Sequence, residues 1–272
     1  MAAASNPASV VARLRAAGCV FAEEEAQLLI AAAADPASRQ SLDSLVAQRV
    51  AGLPLEHLLG WVDFGGRRIA LEPGVFVPRR RSELLVREAV ARVGQRNGHR
   101  TVVLDLCCGS GALGAALAVA LTARPAGPVE LHAVDIDPNC VRVARRNIEA
   151  LGGRVHRGDL YEPLPTELIG RVDLLVAVTP YVPTEAIELL PPEARDYEPR
   201  WALDGGTDGL DVLRRVVGPA ARWLAPGGHV LVETGQRQAA PAAEAVVAAG
   251  LIPSVVSSDE PNATVVIGVK PA

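Results

Sequence analysis

From Thr101 onward the chain alternates between short apolar runs and helical segments, and this alternation limits the fold more than any other feature. TVVLDL (101–106), VELHAVD (129–135), a run at Val155, VDLLVAV (172–178), GHVLVE (228–233) and VVIGV (265–269) read as strands. Between them, 112–121, 138–151, 210–223 and 238–249 carry helical patterning, the second opening on Pro138 in its first turn. Apolar strands separated by helices predict a parallel sheet buried on both faces, an α/β fold. A chain of 272 residues can hold that sheet and one small accessory unit.

The accessory unit is expected at the start. Segments 7–17, 22–34 and 41–50 place Val10, Val11 and Leu14, Leu28 and Leu29, and Leu42, Leu45 and Val46 at helical spacing, with Asp35-Pro36 as a break. WVDFGGRRIAL (61–71) sets Gly65-Gly66 between two alternating runs, a hairpin signal. The expected organisation is a helical domain over 1–60, a β-hairpin linker over 61–75 and the sheet domain over 76–272. A net charge of −4 argues against a broad grip on nucleic acid. The longest apolar run, 112–123, is too short to span a bilayer, and the opening residues lack a signal-peptide core, so a cytoplasmic protein with no membrane partner is expected. Cys19, Cys107, Cys108 and Cys140 form no CxxC pair, and His57, His99, His132, His156 and His229 are scattered, so no metal site is expected.

DLCCGSGALG (105–114) stands where the first strand meets its helix, and Gly109, Gly111 and Gly114 spell G-x-G-x-x-G. Glycine permits a tight turn and lets backbone N–H groups come close to a ligand. A dinucleotide would use the same loop. Asp105 speaks for another ligand, because a buried carboxylate costs several kcal/mol unless a cation answers it, and the ammonium of S-adenosylmethionine is such a cation. Asp135 ends the second strand, where a carboxylate can accept from ribose hydroxyls of either cofactor. Asp137 reads as the cap of the helix opening at Pro138. Asp159 follows the third strand, either beside an adenine ring with Leu160 packed on it or as a turn residue.

These segments, together with VFVPRRRSELLV (75–86), APGGHVLVETGQRQ (225–238) and a Pro180-Tyr181 turn after the fourth strand, resemble the HemK/PrmC-type protein N5-glutamine methyltransferases, which modify a glutamine of peptide release factors. The resemblance runs over nearly the whole chain. It implies a Rossmann-like class I methyltransferase fold, with S-adenosylmethionine as donor and S-adenosylhomocysteine as product. It places cofactor contacts at Asp105, Cys107, Gly109, Gly111, Asp135, Ile136, Asp159 and Leu160.

Two departures bear on the acceptor. The family's turn reads Asn-Pro-Pro-Tyr, and the resemblance implies that the Asn oxygen and the next carbonyl accept from the target amide while Tyr packs on its plane. Here the turn, and so the expected catalytic set, is Val178, Thr179, Pro180 and Tyr181, and Val178 accepts nothing through its side chain. Losing one such partner is worth about 1–3 kcal/mol, roughly tenfold to a hundredfold in rate. The second departure is Arg79-Arg80-Arg81 ahead of Ser82 and Glu83. Arginines there can receive the carboxylate of a free amino acid. Glu233 and the acids after the turn, Glu185, Glu188, Glu193, Asp196 and Glu198, can answer a guanidine. The expected acceptor-binding set is Arg79, Arg80, Arg81, Glu83, Tyr181 and Glu233. The leading expectation is an N-methyltransferase whose acceptor has changed from glutamine to an arginine-like guanidine or another small amino-acid nitrogen. Release-factor glutamine, a silent cofactor-binding module and an NAD-dependent oxidoreductase are the alternatives.

Overall fold

A computed structural model of the chain describes residues 6–36, 38–93, 100–124, 127–260 and 262–272. Among the described residues the first elements are four helices: α1 (Pro7–Ala16), α2 (Ala22–Ala34), α3 (Leu42–Val50) and α4 (Leu55–Leu59). Asn6 and Ser41 cap α1 and α3 through their side chains. Val10, Leu14, Ala22, Ala26, Leu29, Leu45 and Val46 close a core of their own. The five-residue α4 is too short for its spacing to show in the sequence, and it ends on Gly60 at φ 77°.

The hairpin pairs β1 (Trp61–Phe64) with β2 (Arg67–Ala70) around Gly65 and Gly66 at φ 57° and 73°, the two positive values a tight hairpin turn requires. It is more than a linker. Val62, Phe64 and Ile69 belong to the core of the sheet domain, and a Cβ on Gly65 would stand 2.9 Å from that of Ala116.

After a 3-10 turn at Arg80–Ser82, α5 (Glu83–Arg92) leads into the sheet. In chain order follow β3 (Thr101–Leu106), α6 (Ala112–Thr122), β4 (Val129–Asp135), α7 (Pro138–Ile148), β5 (Arg154–Arg157) and β6 (Val172–Ala177). Next come α8 (Pro192–Tyr197), α9 (Arg200–Leu203), α10 (Asp211–Trp223), β7 (Leu224–Thr234), α11 (Ala239–Ala248), β8 (Ile252–Ser258) and β9 (Ala263–Val269). Among the described residues the sheet has seven strands, ordered β5-β4-β3-β6-β7-β9-β8. The first five run parallel, as the alternation of strands and helices predicts, and β9 is antiparallel to both β7 and β8, so the sheet is mostly parallel. Strand β8 was not foreseen. It is an exposed edge strand with Pro253 inside it, and an edge alone tolerates a residue that withholds its N–H.

One face of the sheet buries Val103, Leu131, Leu174 and Val176 with residues of α5, α6 and α7; the other buries Leu104, Val134, Leu175 and Val232 with residues of α10 and α11. Strand order reverses at β3, which lies between β4 and β6. In such sheets the crevice beyond the strands' C-terminal ends at that reversal is where ligands bind. No described helix is long and apolar enough to cross a membrane.

Candidate active site

The crevice holds a cavity of about 650 Å³, within the range that encloses small ligands. Its floor is the loop between β3 and α6. Cys107 and Gly109 both take left-handed backbone angles, φ 56° and 55°. An ideal Cβ on Gly109 meets nothing within 4 Å, so this stretch of backbone borders open space. Gly111 is hemmed in instead: at φ 78°, a Cβ there would lie 2.6 Å from Ile148 Cδ1. Cys107 and Gly109 line the cavity; Gly111 supports the loop from behind.

Asp135 ends β4 at the cavity wall, 5% exposed. Its Oδ2 accepts from Gly109 N–H at 2.8 Å and its Oδ1 from Asp137 N–H at 2.9 Å. Burial pushes its carboxyl up to about 6, with those two N–H groups pulling the other way. Ile136 is exposed on the cavity rim, and Asp137 caps α7 by accepting from Asn139 and Cys140 N–H.

Asp105 behaves differently from expectation. It is 1% exposed, does not line the cavity, and accepts from Gly114 N–H at 2.9 Å. Its answering donor is therefore the first turn of α6, and burial pushes its carboxyl up to about 7. Asp159 and Leu160 line the cavity, but Asp159 already pairs with Arg215 at 2.6 Å, a partner the sequence did not indicate.

The turn Val178-Thr179-Pro180-Tyr181 follows β6 and lines the cavity with all four residues. Thr179 is buried, and its hydroxyl has no partner. Tyr181 is held at several points. Its carbonyl accepts from Gln238 Nε2 at 2.8 Å; its hydroxyl accepts from Arg81 and donates to Glu233 Oε1 at 3.4 Å. Arg81 Nε also donates to Glu233 at 3.1 Å, and burial raises the phenol to about 12.

Of the arginines, Arg79 and Arg81 line the cavity and Arg80 is exposed outside it. Arg79 donates to Glu198 Oε1 at 2.5 Å, which also accepts from Val77 N–H at 3.3 Å. Glu83 lies away from the cavity, accepting from Gly65 N–H at 3.0 Å to hold the hairpin. Glu233 is buried behind Tyr181 rather than in the wall. Ser82 closes the 3-10 turn Arg80–Ser82 and makes no side-chain cap for α5. Arg79 and Arg81 pair with Glu198 and Glu233, so charges expected to meet an acceptor also meet one another.

The far wall is built by 190–203; of its lining the sequence indicated Glu193 and Glu198 but not Leu190, Trp201 or Leu203. This stretch meets the helical domain. Arg49 joins Glu25 to Glu193, and Tyr197 donates to Ala51 O at 2.7 Å. Glu185, Glu188 and Asp196 stay on the surface. Described histidines stand outside the cavity, His132 stacked on His156 at 5.3 Å, while His99 lies outside the described residues. Among the described residues no cluster of three or more His, Cys, Asp or Glu could hold a metal ion.

A family model described as a methyltransferase domain matches residues 103–196. The release factor glutamine methyltransferase of Geobacter sulfurreducens is 40% identical over 207 residues, 75% of this chain and 69% of that protein. That of Mycolicibacterium smegmatis is 42% identical over 200 residues, 73% of this chain and 68% of that protein. The chain belongs to the release factor glutamine methyltransferase family. It is a methyltransferase. A 4-amino-L-phenylalanine/4-methylamino-L-phenylalanine methyltransferase of Streptomyces pristinaespiralis is also similar, 36% identical over 72% of this chain and 65% of that protein. Among solved structures, a Pyrococcus furiosus methyltransferase aligns with TM-score 0.53 at 19% identity, covering 76% of this chain and 90% of its own. A Thermus thermophilus 16S rRNA methyltransferase, solved with AdoMet and guanosine, aligns with TM-score 0.53 at 23% identity over 77% of this chain and 49% of its own. These two share the fold of the sheet domain.

Proposed function

We propose that the protein methylates the planar nitrogen of a small, aromatic amino-acid-type acceptor, with S-adenosylmethionine as the methyl donor. The residues fit that donor. Gly109 leaves open space over its backbone, and Asp135 presents a buried carboxylate that can still accept from ribose hydroxyls. Ile136 and Leu160 border the same space and supply apolar surface for an adenine. Asp105 contributes indirectly, by fixing the first turn of α6 and with it the glycine loop. When bound, the donor supplies an electrophilic methyl carbon on a sulfonium.

One observation carries the choice of acceptor. Val178 stands in the cavity wall, and Arg79 and Arg81 line the same cavity, each paired with a buried glutamate, Glu198 and Glu233. A glutamine amide would find no side-chain acceptor at Val178. A guanidinium would meet Arg79 and Arg81 as like charges. An arylamine needs neither partner. Its ring suits a wall of Phe76, Leu113, Val178 and Trp201 and can pack against Tyr181. Its nitrogen lone pair attacks the methyl carbon as the carbon–sulfur bond breaks, and the resulting arylammonium gives its proton to water. No general base is required, and Tyr181, raised to about 12, is not one. The relative from Streptomyces pristinaespiralis is named for an acceptor of this kind.

A second reading keeps release-factor glutamine as acceptor, supported by about 40% identity to enzymes so named and by Tyr181 standing in the expected turn. The test presents purified protein and S-adenosylmethionine with 4-amino-L-phenylalanine, L-arginine and a release factor in parallel. Methylation of the arylamine alone is expected. Transfer to the release factor alone would move the assignment to the second reading, and transfer to none of the three would overturn both readings of the acceptor.

A further inference from the structure

Glu198 is the most conspicuous polar group in the cavity wall that methyl transfer itself leaves without a task. Its side chain is 1% exposed, yet the residue lines the cavity. One oxygen, Oε1, accepts from Arg79 and from Val77 N–H; the other, Oε2, is buried without any partner. A native fold rarely leaves a buried carboxylate oxygen idle unless a donor arrives from elsewhere. Burial holds this carboxyl above its ordinary range even with Arg79 beside it. Arg79 stands in the same wall, 31% exposed, with its guanidinium 5.2 Å over the Phe76 ring. Its charge acts on the Tyr181 phenol, so the pair sits within electrostatic reach of the turn.

A cation and an anion side by side in a cavity wall are the complement of a group that carries both charges on one carbon. We infer that Arg79 and Glu198 form the subsite for the zwitterionic head of an α-amino acid acceptor. The ammonium donates to Glu198 Oε2, and the carboxylate accepts from the Arg79 guanidinium. This rests on the small-acceptor reading above and names its substrate class: a free amino acid, not an internal residue of a protein loop, which has neither charge on its backbone. The two new contacts are charge-assisted and shielded from solvent on the glutamate side, where such bonds are strongest. Charge separation along the chain becomes the selection rule. A ligand lacking either charge leaves one wall group unanswered.

The test uses the full chain saturated with S-adenosylhomocysteine and titrated in a calorimeter with L-phenylalanine, phenethylamine and 3-phenylpropanoate. L-Phenylalanine is expected to bind at least about tenfold more tightly than either analogue, the worth of one charge-assisted bond. In Glu198→Gln, L-phenylalanine and 3-phenylpropanoate should converge to within about threefold. Equal binding of all three ligands, or no binding of L-phenylalanine, overturns the subsite. The ligand comparison on the unaltered chain decides the matter even where the variant does not fold. Methylation of 4-amino-L-phenylalanine without a head-group preference would sink the subsite and leave the arylamine reading standing. A tenfold preference without arylamine methylation would uphold the subsite and sink the arylamine reading.

Discussion

Arg81→Met asks whether the cation next to the turn balances charge or holds the tyrosine. Glu233 has a side chain 2% exposed, and Arg81 is its ion-pair partner at 3.1 Å. Removing one member of a fully buried pair costs about 3–5 kcal/mol, because the other charge is stranded. Arg81 itself is 41% exposed, so water already screens part of the interaction and about 2 kcal/mol is the expected loss. For a domain of this size that lowers Tm by roughly 4–8 °C. The same substitution removes the donor to the Tyr181 hydroxyl, leaving only its 3.4 Å bond to Glu233. A ring that no longer presents one face misaligns the acceptor, and losing one positioning bond costs about 1–3 kcal/mol, tenfold to a hundredfold in kcat. Thermal melting and steady-state kinetics read the two effects separately. Adding Glu233→Gln removes the stranded charge, so the double variant should recover most of Tm and little of kcat. Tyr181→Phe on the Arg81→Met background should cost little more, since both act through one contact. If the double variant restores kcat along with Tm, or if Arg81→Met alters neither, then Arg81 does not position Tyr181.

Val178→Asn should lower kcat/KM on the arylamine by about tenfold, as an amide enters an apolar wall, and raise it on release-factor glutamine only where glutamine is already a substrate; a gain of roughly tenfold or more there would overturn the arylamine reading. The Asp135 carboxyl, raised to about 6, must be charged to accept from a ribose, so S-adenosylhomocysteine binding should release roughly half a proton at pH 6 and strengthen as pH rises from about 5 to 7. Calorimetry in buffers of different ionisation heat measures that release, and its absence would refute the contact. Stability of the unliganded protein runs the opposite way. The fold keeps protons on Asp135 and on Asp105, raised to about 7, that the unfolded chain gives up near 3.8, so chemical denaturation should show stability falling between about pH 4 and 7. Gly111→Ala should cost roughly 2–3 kcal/mol in denaturant titrations, from its φ of 78° and the Ile148 side chain 2.6 Å from the new Cβ. Gly109→Ala meets no neighbour and should cost about 1 kcal/mol in stability while weakening cofactor binding far more.

What the sequence revealed and what it withheld divide along a physical line. Strands β3 and β4 could be read to the residue, because an apolar run with a carboxylate at or next to its end is a local pattern. Direction is not local: the reversal of β9 and the polar edge strand β8 leave no mark in the alternation of strands and helices. The site divides in the same way. Asp135 and the Val178–Tyr181 turn sit at strand ends, so their place beside the loop follows from topology. The charges do not. Arg79 meets Glu198 across 119 residues and Arg81 meets Glu233 across 152, pairings that only the folded chain decides. Asp105 shows the cost of reasoning about a charge without its fold. A buried carboxylate does demand a donor, but a helix's first N–H groups are donors too, and Gly114 reached it first. The acceptor is governed by the same distinction. Free acids after the turn would have favoured a guanidinium. Acids already bound to arginines leave an apolar slot beside Tyr181 and one idle oxygen on Glu198, and a neutral ring with a charged head uses both.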